Sequence, residues 1–245
     1  MDDIDLGGRV ALVTGSASGL GRGLALALAE RGADVAVHYH SSAEEAAATA
    51  AEAREHGVGA TTVQGDVTDP ESVDALFDEV ATELGSVDVL VNNVGDFDPR
   101  HWASIDLDAW QRVMDTNLTG TMLCSRRALP AMREEGWGRI VNVGYASSEK
   151  ALVGATNFPY FVAKTGVLMF TRMLAADTQD DGITVNAVSP YVLETSDEFP
   201  DEAPRGRWGS VEDVANAMLF FCRSESEYVS GENVEIDGGW LPEEI

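Results

Sequence analysis

Residues 10–21 read Val10-Ala-Leu-Val13 followed by Thr14-Gly15-Ser16-Ala17-Ser18-Gly19-Leu20-Gly21, and an Ala- and Leu-rich segment continues from there. The four apolar residues predict a buried strand, and the segment after the glycines predicts a helix. Glycines between them allow a tight turn that approaches a pyrophosphate closely, and a helix N-terminus supplies free N–H groups. The stretch therefore predicts a dinucleotide-binding strand–turn–helix unit. The spacing G-x-x-x-x-G-K-S/T is missing here, which argues against a Walker-type NTPase.

The same alternation of strand and helix patterns continues along the chain. Predicted strands are Val10–Val13, Asp34–Val37, Thr61–Val63, Val87–Val91, Arg139–Val143, Ile183–Asn186 and Asn233–Ile236. Predicted helices are Leu20–Arg31, Ala43–His56, Glu71–Leu84, Asp108–Glu135, Pro159–Asp177 and Val211–Cys222. Strict alternation predicts an α/β doubly wound Rossmann fold, a seven-stranded parallel sheet flanked by about six helices. No linker interrupts it, so we expect one domain over residues 1–245, with ligands bound beyond the carboxyl ends of the strands.

Charge separates this chain from nucleic-acid-binding proteins. Asp and Glu total 42 against 16 Lys and Arg, a net charge of −26, so we expect no basic face and no nucleic-acid partner. The acidic residues are dispersed, and only two lysines occur, Lys150 and Lys164. This composition resembles that of cytosolic proteins of salt-in halophiles, in which molar salt screens the self-repulsion. The alternative is an acidic mesophilic enzyme.

Three features predict a cytoplasmic protein. The apolar runs are too short to span a bilayer, so no membrane association is expected. Residues 1–5 are acidic, whereas a secretory signal begins with basic residues. Cys124 and Cys222 lack the spacing of a zinc or redox motif, which predicts free thiols in a reducing compartment.

Five further motifs follow the glycine-rich turn. They are Asp66-Val67, Asn92-Asn93-Val94-Gly95, Asp115-Thr-Asn117, Tyr160-Phe-Val-Ala-Lys164 and Ile236-Asp237-Gly238-Gly239. With the Thr-Gly-x-x-x-Gly-x-Gly spacing of residues 14–21, their order resembles that of the short-chain dehydrogenase/reductase family. The resemblance covers about residues 5 to 240 and implies an oxidoreductase that uses a nicotinamide cofactor.

The resemblance also implies which residues hold that cofactor, since the family binds it with the loops that follow the strands. The residues carried over are Gly15, Ser18, Gly19, Leu20, Gly21, His40, Ser41, Asp66, Val67, Asn92, Val94, Gly95, Tyr160, Lys164, Leu193 and Thr195.

Tyr160 and Lys164 are spaced to share one face of a helix. A nearby ammonium favours the phenolate and lowers the pKa of a tyrosine from its usual value of about 10. By resemblance, Tyr160 is the general acid/base at the substrate carbonyl, and Lys164 also holds the nicotinamide ribose. Asn117 is a poor helix former, which predicts a local irregularity, and the family adds a water-mediated proton relay to Lys164.

The usual catalytic serine of the family is displaced in this sequence. Thirteen residues before Tyr160 stands Ser147, whereas counting from the predicted strand 139–143 places Tyr145 at the serine position. We take Ser147 as the candidate. Ser148, Tyr145 or a site that lacks this donor are the alternatives. The family's Pro-Gly is also replaced, by Pro190-Tyr191.

The end of the second strand predicts the cofactor preference. An acidic residue there would bind the ribose diol and repel a 2′-phosphate, but the segment reads His38-Tyr39-His40-Ser41-Ser42. We therefore expect NADP(H) rather than NAD(H), with Arg22 as a further candidate ligand of the phosphate. The histidines lack a third partner for a metal, so no metal site is predicted.

Among family members, the chain resembles 3-oxoacyl-thioester reductases, including those that act on the acyl carrier protein. The expected reaction is reduction of a ketone, as a small molecule or an acyl thioester. Alternatives are a pteridine reductase, a polyol or sugar dehydrogenase, and a non-catalytic NADP(H)-sensing protein. The resemblance further implies a homotetramer joined through the predicted helices 108–135 and 159–177. It also implies a substrate lid at about 195–206, and the shortness of this lid argues against steroid substrates.

Overall fold

The computed structural model describes residues 4–150, 154–196, 199 and 202–240. The strands are β1 (Val10–Val13), β2 (Asp34–Tyr39), β3 (Ala60–Gln64), β4 (Val89–Asn92), β5 (Gly138–Val143), β6 (Ile183–Pro190) and β7 (Asn233–Ile236). The helices are α1 (Gly19–Ala29), α2 (Ala43–Glu55), α3 (Pro70–Glu83), α4 (Leu107–Met114), α5 (Gly120–Glu135), α6 (Phe158–Asp177) and α7 (Val211–Cys222).

The seven strands form one parallel sheet in the order β3-β2-β1-β4-β5-β6-β7. The strand order reverses between β1 and β4, and at such a switch point the loops diverge and leave a crevice at the carboxyl edge. The predicted doubly wound Rossmann fold is confirmed.

Helices cover both faces of the sheet, which explains why several strands are buried along their whole length. Every residue of β1, β4 and β6 is buried. One core packs α1, α2 and α7 against the sheet around Leu24, Leu28 and Phe221. The other core packs α3 and α5 around Leu76 and Met132.

The predicted helix 108–135 is one continuous helical segment with a change of geometry in its middle. The π-helical turn Asp115–Thr119 joins α4 to α5 and contains Asn117. Such a turn inserts a residue into the helical ladder and commonly marks a functional position. The irregularity predicted at Asn117 is therefore present.

The sixth strand is longer than predicted. β6 runs to Pro190 rather than to Asn186, because Ala187–Pro190 pair with the four residues of β7. This pairing carries the chain to Tyr191 at the carboxyl edge of the sheet. No helix in the described part of the chain is long and apolar enough to cross a membrane.

Candidate active site

The glycine-rich turn between β1 and α1 packs closely against the loop that follows β4. A Cβ added to Gly21 would lie 2.5 Å from Nδ2 of Asn93 and would overlap the carbonyl oxygen of Gly15. Only glycine fits at this position. Ser18 stands at the N-cap of α1, so the free N–H groups of the first helical turn face the carboxyl edge of the sheet.

The side chain of His38 holds the glycine-rich turn in place through hydrogen bonds. Its Nδ1 accepts a hydrogen bond of 2.9 Å from the Gly15 N–H, so the ring proton is on Nε2, which donates to the Gly65 carbonyl at 3.1 Å. Burial lowers the pKa of His38 to about 4, which keeps the ring neutral. Both ring nitrogens of His38 are therefore engaged in holding two loops together.

The two asparagines after β4 have different roles in the structure. Asn92, predicted to hold the cofactor, points into the protein, where Nδ2 donates to Ser125 Oγ and Asn142 Oδ1. Asn93 instead lines the crevice, and its Nδ2 donates to the Thr14 carbonyl at 2.9 Å. Asn93 was missed although it lies in the quoted motif, because spacing alone does not show which of two adjacent side chains faces the crevice.

The crevice itself has a volume of about 610 Å³ and is formed by the loops after β1, β2, β3 and β4. Its lining includes the predicted residues Gly15, His40, Asp66, Val67, Val94 and Gly95. The Asp66 carboxylate accepts from the hydroxyl and the N–H of Thr68 at 2.7 and 2.9 Å, and these bonds lower its pKa. Among the described residues, no group of three His, Cys, Asp or Glu side chains is placed to hold a metal ion.

The remaining predicted cofactor residues lie at the rims. Ser41 is exposed beside His40, Leu20 lines the adjoining cavity, and Gly19 opens α1. Leu193 is buried and its N–H donates to Ser196 Oγ, while Thr195 is exposed. Arg22 forms an ion pair with Glu52. The lid predicted at about 195–206 lies partly outside the described residues.

A second cavity, of about 340 Å³, continues from the crevice and contains Tyr160 and Lys164 of α6. Lys164 Nζ donates a 2.7 Å hydrogen bond to the Val143 carbonyl and lies 5.6 Å from the centre of the Tyr160 ring. Burial lowers the pKa of Lys164 to about 8. Burial raises the pKa of Tyr160, with a smaller contribution from Tyr145. The expectation that Lys164 lowers the tyrosine pKa is thus corrected, because desolvation of the phenolate is the larger effect.

Asn117 lies beside Lys164 with one polar atom available. Its Nδ2 donates to the carbonyls of Asp96 and Val113 at 2.6 and 2.8 Å. The amide is therefore oriented with Oδ1 buried and without a hydrogen-bond partner among the described residues. A Cβ added to Gly95 would lie 2.9 Å from this Oδ1 and 3.5 Å from Lys164 Nζ. The acceptor Asn117 Oδ1 and the donor Lys164 Nζ therefore both lie close to one point at the bottom of the cavity, above Gly95.

Of the three hydroxyls considered for the serine position, Tyr145 is the one that lines the cavity. Its ring packs edge-on against Tyr160 with centroids 5.6 Å apart. Ser147 is buried in a left-handed backbone conformation (φ 78°), and its N–H donates to Glu235 at 3.1 Å. Neither Ser147 nor Ser148 is among the described lining residues. The catalytic role of Ser147 stays a prediction.

The sequence profile of the family described as Enoyl-(Acyl carrier protein) reductase matches residues 15–241. The chain belongs to the short-chain dehydrogenase/reductase family. It is an oxidoreductase of this family, whose members use a nicotinamide cofactor.

Known family members resemble the chain over nearly its whole length. A protein of Aquifex aeolicus named 3-oxoacyl-(acyl-carrier-protein) reductase FabG is 36% identical, covering 97% of this chain and 99% of the relative. The protein of that name from Staphylococcus aureus (strain Mu50) is also 36% identical, covering 94% and 96%.

Solved structures of family members also superpose on this chain over nearly its whole length. A putative short-chain alcohol dehydrogenase of Sinorhizobium meliloti has a TM-score of 0.92 at 34% identity, covering 98% of both chains. A gluconate 5-dehydrogenase of Burkholderia cenocepacia, solved in complex with NADP and tartrate, has a TM-score of 0.90 at 33% identity, covering 97% of both.

Proposed function

We propose that the chain is an NADP(H)-dependent reductase that converts the ketone of a 3-oxoacyl thioester into a secondary alcohol. The observation that carries the proposal is the convergence, at one end of the crevice, of Tyr160, Lys164 and the Oδ1 of Asn117, which has no hydrogen-bond partner within the described part of the chain. The names of the relatives that are 36% identical support the thioester, carried by the acyl carrier protein or coenzyme A.

The crevice has the features that a dinucleotide requires. Gly19 has a positive φ and no described atom within 4 Å of the place that a Cβ would occupy, so the backbone of the turn is open to a pyrophosphate at the N-terminus of α1. Asp66 and Val67 would contact the adenine, and Lys164 the nicotinamide ribose. Residues after β2 are His40 and Ser41 rather than an acid, which supports a 2′-phosphate and hence NADP(H). The bound cofactor would supply the hydride.

Tyr160 would donate the proton that the carbonyl oxygen needs. Its raised pKa keeps the phenol protonated at neutral pH, so it acts as an acid in the direction of reduction. Lys164, with a pKa of about 8, lies close to neutrality and can return the proton through a hydroxyl or water held between its Nζ and Asn117 Oδ1. The π-helical turn contributes by aiming Asn117 at this point.

We further propose that Tyr145 donates the second hydrogen bond to the substrate carbonyl. Its position in the cavity against the Tyr160 ring supports this assignment over Ser147 and Ser148. Burial raises the pKa of Tyr145 to about 12, so its hydroxyl stays protonated and remains a donor over the working pH range.

A sugar-acid dehydrogenase is the second candidate, because a solved family member is a gluconate 5-dehydrogenase. An aldonate carboxylate requires a cation in the substrate cavity. Among the described lining residues the only cationic side chain is Lys164, which donates to Val143. This favours an uncharged ketone.

The deciding experiment is NADPH consumption with acetoacetyl-CoA in molar KCl, comparing the wild type with Tyr160→Phe. We expect turnover that falls by at least about a hundredfold in the variant. Equal turnover in both proteins would contradict the role of Tyr160. NADPH binding without turnover of any ketone would instead support the NADP(H)-sensing alternative.

We also propose a cytoplasmic homotetramer in a salt-rich cell. Helix α6 exposes Met169 and Met173, one turn apart, at 67% and 53% of their surface, which supports a helix-mediated subunit contact. With a net charge of −26, assembly should depend on screening. Light scattering across a KCl series should show the tetramer in molar salt and smaller species in dilute buffer. A compact tetramer in dilute buffer would contradict the halophilic interpretation.

A further inference from the structure

Four aromatic side chains, that of Tyr160 included, are among the described residues that line the cavity at Tyr160. Phe97, Tyr145 and Tyr191 line it together with Tyr160, so three of the five tyrosines in the chain meet here. Phe97, Tyr145 and Tyr191 come from three different loops, which follow β4, β5 and β6, whereas Tyr160 lies in α6. We call Phe97, Tyr145 and Tyr191 the aromatic wall.

The rings of the wall are linked to one another through Tyr160 and through the contact between Tyr145 and Tyr191, in geometries that aromatic pairs prefer. Phe97 and Tyr145 both pack edge-on against Tyr160, at centroid distances of 6.4 and 5.6 Å and with interplanar angles of 71°. Tyr145 lies 6.3 Å from Tyr191. Behind the wall, Trp240 stacks on Tyr191 at 4.0 Å with an angle of 12°. Tyr160 and the three rings of the wall therefore form one connected set of aromatic contacts.

The loop that carries Phe97 is held in place by its neighbours. The buried Asp98 accepts a 2.6 Å ion-pair contact from Arg100, and its N–H donates to Asn157 Oδ1 just before α6. Phe97 itself is 45% exposed at the mouth of the cavity. An exposed ring on an anchored loop is suited to bind a ligand without first being ordered.

The polar groups of this cavity do not suit a charged substituent. Asp96, the acidic residue among the described lining residues, is paired with Arg112, and Lys164 donates to Val143. The space next to Tyr160 thus offers hydroxyls for a carbonyl and ring faces and edges for the group beside it.

We propose that the ketone reduced at Tyr160 carries an aromatic ring, so that the substrate class is the aryl 3-oxoacyl thioester, of which a benzoylacetyl thioester is the simplest example. The inference rests on the proposed function, whose substrate class it narrows. The aryl ring packs against Phe97, Tyr145 and Tyr191 while its carbonyl faces Tyr160. One aromatic pair contributes about two- to twelve-fold in affinity beyond the burial of apolar area.

Binding and turnover are measured separately with three CoA thioesters, whose 3-oxo group carries a phenyl, a cyclohexyl or a methyl substituent. Dissociation constants are measured on Tyr160→Phe saturated with NADPH, which keeps the ring and removes the acid. The cyclohexyl compound controls for size. We expect the phenyl compound to bind at least about tenfold more tightly than the cyclohexyl one.

Variants in the same background locate the effect. Phe97→Leu should reduce the phenyl-to-cyclohexyl affinity ratio by about threefold or more, and Tyr228→Leu, at a fully exposed ring outside the wall, should leave it unchanged. Equal binding of phenyl and cyclohexyl compounds, or an unchanged ratio in Phe97→Leu, overturns the inference. Selective binding of the phenyl compound without turnover of any thioester by the wild type would support the aromatic site and overturn the proposed reduction.

Discussion

The amide oxygen of Asn117 and the side-chain nitrogen of Lys164 approach the same point above Gly95. A Cβ at residue 95 would lie 2.9 Å from the oxygen and 3.5 Å from the nitrogen. The two side chains come from different elements, a π-helical turn and α6, and each is fixed by hydrogen bonds to backbone carbonyls. Residue 95, in the loop after β4, must therefore be glycine if the two groups are to share a hydroxyl or water.

A methyl group placed above Gly95 should lower activity while leaving the stability of the fold almost unchanged. In Gly95→Ala the new methyl group displaces the shared hydroxyl or pushes Asn117 aside, so we expect kcat to fall by about tenfold to a hundredfold. NADPH consumption gives kcat, and thermal unfolding should move by only a few degrees. Gly154→Ala is the matched control, because its Cβ would meet no atom closer than 3.9 Å. Full activity in Gly95→Ala would contradict the relay.

The hydroxyl of Tyr145 can be tested against that of Ser147. Tyr145→Phe keeps the ring contact with Tyr160 and removes the donor, so we expect kcat/KM to fall by about a hundredfold to a thousandfold. Ser147→Ala should change it by less than about threefold, since Ser147 is not among the described lining residues. Steady-state kinetics on both variants decide the question, and the opposite pattern would assign the role to Ser147.

The fold could be predicted from sequence because each strand and helix carries its own periodic signal. Strands β1 and β7 have the predicted bounds, and the order of elements is as expected. The end of β6 could not be predicted, because its last residues are held as strand by pairing with β5 and β7, whose paired residues lie over 40 residues away along the chain. Pairing between distant segments leaves no local pattern.

The site was predicted less completely, for a different physical reason. Motif spacing located Tyr160, Lys164 and Asn117, which the structure brings together. Loop residues have no periodicity that tells which side chain faces the cavity, so Asn92 was chosen where Asn93 lines the crevice. The direction of the Tyr160 pKa shift was also wrong, because it depends on burial that only packing determines.

Lys164 is expected to be needed for activity and to lower the free energy of unfolding. Burial lowers its pKa to about 8 from an unfolded value of about 10.4, so below pH 8 the folded protein holds a buried charge at a cost of roughly 3 kcal/mol. Lys164→Met removes that charge, and we expect it to be inactive but more stable at pH 7.

The pH dependence of this difference is the check. Between about pH 8 and 10.4 the unfolded wild type binds the additional proton, so its free energy of unfolding rises with pH relative to Lys164→Met. Chemical denaturation at fixed KCl measures both proteins. A difference that is constant between pH 7 and 10 would show that Lys164 is not desolvated as the structure indicates.

His38 links cofactor affinity to acid stability. His38→Phe removes the acceptor for the Gly15 N–H and the donor to Gly65, so the glycine turn loses its support and we expect the Kd for NADPH to rise about tenfold.

The wild type should also lose up to roughly 3 kcal/mol of unfolding free energy between about pH 6.5 and 4, because the unfolded His38 is protonated there while the buried one stays neutral until about pH 4. His38→Phe should lack that part of the loss, and exposed His56→Asn should keep it. Fluorescence titration with NADPH and denaturation across this pH range test both effects, and an unaltered Kd in His38→Phe would show that the turn is held without it.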